Sequence, residues 1–252
     1  MPENKWLVIP KPNPNADIKL ICFPYAGGSS ASYLPWLSQL PTNVELIMVQ
    51  LPGRGSRVFE DAFDEMEPLV KQLLKFLPAV LNKPYILFGH SLGSRIAFEL
   101  ALKLKEMAHH LPAHFIASGS RGPHTALKNK IHNLPDNEFI NELKKMGGTP
   151  DTLLDNNALM ELLLPAIRGD FAIAEKYSYS GKETLNCPVS VLGGKDDKGI
   201  TEADLKSWGN FFASPANVHM VNGNHFFIDS NKDAVLLRLN QIIRSSLLAT
   251  IN

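Results

Sequence analysis

Tyr85-Ile86-Leu87-Phe88-Gly89-His90-Ser91-Leu92-Gly93 is an apolar run that ends in a glycine, a serine and a second glycine, and its reading decides the fold. The pattern inside it is G-x-S-x-G at a strand-to-helix turn. So sharp a turn pushes the serine hydroxyl clear of the backbone and brings strand and helix close together. The flanking positions must then lack side chains, which glycine at 89 and 93 provides. Five residues of this kind also arise by coincidence, so the flanks carry the argument. Tyr85 to Phe88 is short, apolar and bounded, as a buried parallel strand is. Beyond the turn, Ile96, Ala97, Leu100, Ala101 and Leu104 recur at three and four residues, the period of a helix buried along one face.

The same grammar repeats on both sides. Leu20 to Phe23 reads as a strand running into Pro24-Tyr25-Ala26-Gly27-Gly28-Ser29-Ser30. That loop lacks G-x-G-x-x-G and a Gly-Lys-Ser/Thr ending, so it reads as backbone free to aim amides at a ligand, not as a nucleotide cradle. Leu46 to Val49 is the next strand, closed by Leu51-Pro52-Gly53-Arg54-Gly55-Ser56-Arg57. Met66, Leu69, Val70, Leu73, Leu74, Leu77 and Leu81 form a helical stripe, and Phe115 to Ser118 another strand. From 124 to 186 no strand-like run occurs, but Asp136 to Met146 and Leu159 to Tyr177 are predicted helices. The stretch is too long for a loop. It reads as a helical lid over the carboxyl end of the sheet, in preference to extra core helices, because open α/β sheets place their sites and insertions there. Strands resume at Val189 to Leu192 and Val218 to Val221, with helices around Ala203 to Phe212 and from about Lys232. Alternating strands and helices predict a mostly parallel, doubly wound sheet of the α/β-hydrolase kind, one domain over 1–252 with the lid at 124–186.

A chain of 252 residues can bury one large core. Lys plus Arg and Asp plus Glu both number 25, so no strong overall field exists to hold nucleic acid or an anionic membrane. Two cysteines, Cys22 and Cys187, make no disulfide framework and fit a reducing compartment. Met1 to Trp6 lacks a basic flank followed by an apolar core, and no segment reaches the ~18 apolar residues of a membrane span. The expectation is a cytoplasmic protein with no membrane or nucleic-acid partner.

A serine hydroxyl needs an adjacent imidazole, itself oriented by a carboxylate, to act as a nucleophile at neutral pH. In this fold the order along the chain is Ser, acid, His. Of eight histidines, only His219 and His225 lie beyond the loop that starts at Gly193-Gly194. His219 falls within a strand, whereas His225 follows a turn at that strand's carboxyl end, so His225 is the predicted base. Two acids stand side by side in the loop after Val189 to Leu192. The spacing Gly194, Asp197, Ile200 selects Asp197, with Asp196 as the alternative and a loop hydrogen bond as its other role. Neither that pair nor His109-His110 converges on a metal, and neither metal nor cofactor is predicted. The oxyanion donors are the amides of Leu92, after the nucleophile, and Ala26, after the first long strand.

These residues resemble the type II thioesterases that accompany polyketide synthases and nonribosomal peptide synthetases. The similar segments are Phe23-Pro24-Tyr25-Ala26-Gly27-Gly28, Gln50-Leu51-Pro52-Gly53-Arg54, the elbow itself, Met146-Gly147-Gly148-Thr149-Pro150, Leu164-Pro165-Ala166-Ile167-Arg168-Gly169-Asp170-Phe171, Trp208 and His225-Phe226-Phe227. The Leu-Pro-Gly-Arg loop and the Pro-x-x-Arg-x-Asp-Phe segment are more specific than G-x-S-x-G. The resemblance implies hydrolysis of acyl groups from the phosphopantetheine arm of an acyl or peptidyl carrier protein, clearing stalled or mis-primed synthases. It further implies a lid shaping an acyl chamber, Tyr25 and Phe226 at the substrate, no cofactor beyond the carrier's own arm, and a monomer. Two departures stand out: Tyr25 where the family often has histidine, and Asn224 where it usually has glycine, a turn that asparagine survives if it takes positive φ. Other readings of the same residues are a chain-terminating fatty acyl thioesterase, a general esterase, and an inert module that docks carrier proteins.

Overall fold

The computed structural model describes residues 4–127, 129–148 and 154–251; Thr149 and Pro150 of the segment quoted above, and Met1 to Glu3, lie outside them. Its strands are β1 (Leu7–Val8), β2 (Ile18–Phe23), β3 (Val44–Val49), β4 (Tyr85–His90), β5 (His114–Ser118), β6 (Val189–Gly194) and β7 (Asn217–Val221). They form one sheet in the order β1-β3-β2-β4-β5-β6-β7, parallel throughout except for β1, which pairs antiparallel with β3. The described helices are α1 (Met66–Leu73), α2 (Leu92–Glu106), α3 (Asp136–Met146), α4 (Asn157–Lys176), α5 (Glu202–Lys206), α6 (Phe227–Ser230) and α7 (Lys232–Ile251).

The strand order reverses between β2 and β4, whose pairing ends at Phe23 with Gly89. Chains diverge there to opposite sides of the sheet and leave a crevice at the carboxyl ends, the place where open α/β sheets bind ligands. Both faces of the strands are covered, which explains their unbroken apolar runs. Ile21 and Phe23 of β2 and Leu87 of β4 point toward α1 and the buried stripe of α2. Leu20, Cys22, Ile86 and Phe88 point the other way, onto Tyr33, Trp36 and the Val235, Leu236, Leu239 and Ile243 side of α7.

Three local outcomes differ from the sequence pattern. The stripe from Met66 to Leu81 is not one helix: α1 ends at Leu73 and a 3₁₀ turn covers Leu77–Val80. Pro78 lacks the N–H for an α-helical bond to residue 74 and disfavours helical backbone at Leu77. A 3₁₀ helix at Ser30–Ser38, where Pro35 and three serines hide any period, buries Tyr33 and Trp36. The segment around Ala203 to Phe212 is two short pieces, α5 and a 3₁₀ turn at Ser207–Phe211.

Residues 124–186 divide in two. Ile131, Phe139, Leu143, Leu154, Met160, Leu164 and Ile167 make a small core of their own between α3 and the first half of α4. Ile173, in the second half of α4, and Leu185 belong instead to the main core. Asn156 caps α4 by accepting from the Leu159 N–H at 3.1 Å.

Phe98 of α2 is fully buried at the centre of an aromatic cluster, edge-on to Phe115, Tyr179, Trp208 and Phe211. Phe98→Ala is expected to cost about 3–5 kcal/mol of stability, through lost burial and an uncollapsed cavity. The midpoint of urea unfolding measures it, and a loss under about 1 kcal/mol would contradict the packing described.

Candidate active site

Ser91 occupies the turn between β4 and α2 with φ 53 and ψ −117, a positive-φ conformation that costs a non-glycine residue about 1–3 kcal/mol. Its neighbours enforce that geometry. A Cβ on Gly89 would overlap the backbone of Gly93 and Ser94, and one on Gly93 would lie 2.7 Å from the Phe23 carbonyl carbon and 2.8 Å from the Pro24 oxygen. Backbone cannot move aside as a side chain can, so both positions require glycine. The Ser91 N–H donates to Ser118 O at 2.7 Å, and the Ser94 hydroxyl donates to Gly89 O at 2.7 Å. The first bond holds the turn to the end of β5, and the second closes the turn on itself.

Asp197, in the loop after β6, and His225, in the loop after β7, meet at 2.7 Å between Oδ2 and Nδ1. The other carboxylate oxygen accepts from Gly199 N–H at 2.9 Å. Burial works to raise the Asp197 pKa, but the hydrogen bond and charge of His225, the Gly199 amide and the charge of Arg121 outweigh it, so the carboxyl ionises below its ordinary range. An ionised Asp197 accepts a hydrogen bond from the Nδ1–H, which keeps that proton on Nδ1 and leaves Nε2 of His225 without one. Asp196 has the loop role: its N–H donates to Gly223 O at 2.9 Å and its carboxylate accepts from Gly223 N–H at 3.2 Å. Asp196 therefore holds the turn that presents His225 without touching the imidazole. The positive φ in that turn belongs to Gly223, at +123°, and not to Asn224. Asn224 fits by another route, its side-chain oxygen accepting from Phe226 N–H at 2.9 Å.

Among the described residues no direct hydrogen bond joins Ser91 to His225. Their connection is His90, fully buried beside Ser91, whose Nε2 donates to the main-chain carbonyl of His225 at 3.0 Å. Because that carbonyl can only accept, the proton lies on Nε2, and Nδ1 accepts from the Ser118 hydroxyl at 2.9 Å. The pattern-filling residue of G-x-S-x-G thus fixes the backbone of His225 relative to Ser91. The composition of the motif gives no sign of this.

The amides of Leu92 and Ala26 have no protein acceptor among the described residues. Leu92 opens α2, where unpaired N–H groups and the helix dipole favour a negative charge. Ala26 lies in the loop whose start, Phe23-Pro24, touches Gly93, so both N–H groups belong to the same crevice. Tyr25 stands edge-on to His90 at 5.7 Å and to Phe226 at 5.5 Å, and its hydroxyl donates to Asp229 at 3.1 Å. Burial, then the Asp229 charge, push its pKa up to about 12. Gly148, two residues beyond α3, lies so close to the Phe226 ring that any Cβ there would collide with it. Tyr25 and Phe226 therefore form an aromatic wall beneath Gly148 and beside His225. His219 is half-buried on β7, away from this cluster.

The residues that sequence reasoning left without a task are Arg54 and Asp170. Arg54 donates to both carboxylate oxygens of Asp170, one of these bonds at 2.9 Å, and the pair is almost wholly buried. The signal was present: Asp170 interrupts the apolar side of α4 between Ile167 and Ile173, and a carboxylate facing the core requires a cation. Among the described residues no three His, Cys, Asp or Glu side chains cluster to hold a metal, and no helix is long and apolar enough to cross a membrane. Cys22 and Cys187 are buried free thiols whose pKa burial raises.

A protein-family profile described as a thioesterase domain matches residues 18–243. The chain is 36% identical over 248 residues to a Brevibacillus parabrevis protein named linear gramicidin dehydrogenase LgrE, covering 97% of this chain and 94% of that one. It is 35% identical over 230 residues to gramicidin S biosynthesis protein GrsT of Aneurinibacillus migulanus, 91% of this chain and 90% of the relative. Among solved structures, the type II thioesterase BorB from the borrelidin biosynthetic cluster matches with a TM-score of 0.84 at 32% identity, over 95% of this chain and 96% of its own.

Burial, and next the charge of His225, depress the His90 pKa well below the ordinary imidazole value, against the opposing effect of its bond to the His225 carbonyl. Unfolded, the same ring takes a proton below about pH 6.5. The unfolded chain then binds more protons, so stability is expected to fall as pH drops from 7 to 5, with His114 (lowered to about 4) and His219 adding to the trend. His90→Gln is expected to flatten the slope by up to about 1.4 kcal/mol per pH unit, the value for one proton. Urea midpoints across that range read it out, and an unchanged slope would contradict a neutral buried His90.

Proposed function

The chain belongs to the thioesterase family, and we propose that it hydrolyses acyl thioesters on the phosphopantetheine arm of acyl or peptidyl carrier proteins, releasing stalled or aberrant acyl groups from polyketide or nonribosomal peptide synthases. The observation that carries the reading is the strained Ser91 at the switch point of the sheet, in one crevice with the Asp197–His225 pair.

In this mechanism Ser91 Oγ attacks the thioester carbonyl as His225 Nε2 takes its proton. Asp197 holds the imidazole and stabilises the imidazolium. The carbonyl oxygen becomes an oxyanion held by the Leu92 and Ala26 amides, each such donor being worth about 2.7–4 kcal/mol of barrier. Collapse breaks the carbon–sulfur bond, and the pantetheine thiolate leaves with the proton from His225. Water then attacks the acyl-serine, His225 taking and returning a proton, and the free acid departs. Tyr25 and Phe226 line the approach to Ser91 and bear on which acyl groups fit.

The name of the Brevibacillus relative points to hydride transfer. A strained serine beside a carboxylate-oriented imidazole has no task in that chemistry, and acyl transfer is the reading that uses each of these groups.

Ser91→Ala is expected to abolish release of acyl groups from a loaded carrier protein while leaving the unfolding midpoint near that of the wild type. Asp197→Asn is expected to lower kcat about 10⁴-fold, and Asp196→Asn far less. Turnover retained by Ser91→Ala sinks the nucleophile, and a larger fall for Asp196→Asn reverses the acid. A kcat/KM for small aryl esters above that for acyl carrier protein would move the reading to a general esterase.

A further inference from the structure

Asp170 lies on α4, a helix of the lid, with only 1% of its surface exposed, yet its carboxylate reaches the loop after β2. Its Oδ2 accepts from the Gly27 N–H at 2.8 Å. Arg54, which holds both carboxylate oxygens, directs its other donors to Gly28 O at 3.3 Å and Pro52 O at 3.2 Å. One buried ion pair therefore fastens the lid helix, the loop after β2 and the loop after β3 together.

The backbone it grips is a tight turn. The Gly28 N–H returns to Tyr25 O at 2.8 Å, and Gly27 has φ +76, which places Ala26 and Gly27 at the centre of a type II turn. The peptide between the two central residues of such a turn can rotate, exchanging N–H for C=O on the same side, and glycine makes that rotation easy. An ionised carboxylate only accepts, so Asp170 favours the state with the Gly27 N–H toward it and opposes the carbonyl. Ile167, on the same helix, packs 3.5 Å from the position of a Gly27 Cβ and closes the space around the turn. The Ala26 N–H lies on the preceding peptide, whose carbonyl, Tyr25 O, accepts the bond that closes the turn, so what aims it is the hold on the turn as a whole and not the rotation of the Ala26–Gly27 peptide.

We propose that Asp170, oriented by Arg54, is a positioning residue for the oxyanion hole, so that the lid helix sets the aim of the Ala26 amide. The inference rests on the proposed reaction for Ala26's role. Asp170 itself touches no reacting atom.

The test is Asp170→Asn in the full chain with Arg54→Lys beside it, read by hydrolysis of an acyl carrier protein and by amide hydrogen exchange over Tyr25 to Gly28. In Asp170→Asn, kcat per folded site is expected to fall about a hundredfold, with KM within about threefold and the pH–rate profile unmoved, as for loss of one oxyanion donor. Exchange at the Gly27 amide is expected to rise about tenfold or more while that of α2 stays constant. Arg54→Lys keeps a cation beside Asp170 but loses the guanidinium fork; it is expected to lose about tenfold in kcat at unchanged KM, and it carries the test if Asp170→Asn does not fold. Wild-type kcat in the folded variants, a loss confined to KM, or a displaced pH profile overturns the positioning role. If the wild-type protein hydrolyses no thioester, the proposed reaction fails separately. Gly27 exchange then judges the clamp alone, and an unchanged rate overturns it.

Discussion

The structure depends on how closely α2 passes over the ends of β2 and β4. Gly89 meets the backbone of Gly93 and Ser94, and Gly93 meets that of Phe23 and Pro24, with no space for a methyl group at either place. This approach forces Ser91 to positive φ and lifts its side chain out of the turn. It also brings the first amide of α2 and the loop after β2 into one crevice. The conformation of Ser91 and the place of both candidate oxyanion donors are thus consequences of a single packing constraint. The apolar clusters on the two faces of the sheet supply the stability that offsets the local strain.

Asp197 and His225 come from loops that the elbow does not control, so other bonds have to bring them into register. Asp196 ties the β6 loop to Gly223 of the β7 loop, and His90 ties the main chain of His225 to the elbow and, through Ser118, to β5. Adjacent residues divide the work: Asp196 bonds backbone and Asp197 bonds the imidazole. His90 has to stay neutral to do its part, since an imidazolium would lose the acceptor that faces Ser118 and would bring a second positive charge toward His225. Burial keeps it neutral.

The strands and the elbow were legible because their cause is local: runs buried on both faces and glycine at two fixed places. The meeting of Asp197 and His225 was legible through the spacing of one to Gly194 and the place of the other after the last parallel strand. What escaped depends on residues far apart in sequence. Pro78 broke a stripe whose period was sound, and β1 is two residues that form a strand only because β3 offers an edge. His90 read as a filler of its motif because its partners, Ser118 and His225, are 28 and 135 residues away. Arg54 and Asp170 marked a family resemblance without a physical role, since their bond spans 116 residues. Asn224 shows the opposite error: the substitution was reconciled through backbone tolerance, while the fold used its side chain as an acceptor.

Buried charges fasten α4 to the elements around it. At its base, Arg95 of α2 donates to the carbonyls of Thr125, Ala174 and Tyr177, and Glu175 accepts from the N–H groups of Ile131 and His132. The Arg54–Asp170 pair adds a third buried charged anchor on the same helix. Separating the Arg54–Asp170 pair leaves a charge without its partner in the protein interior, a penalty of about 3–5 kcal/mol. Asp170 and Glu175 stand on one helix, so their bonds tie the turn at Ala26 and Gly27 and the backbone at Ile131 and His132 to a single rigid element, which Arg54 and Arg95 fasten in turn to the loop after β3 and to α2.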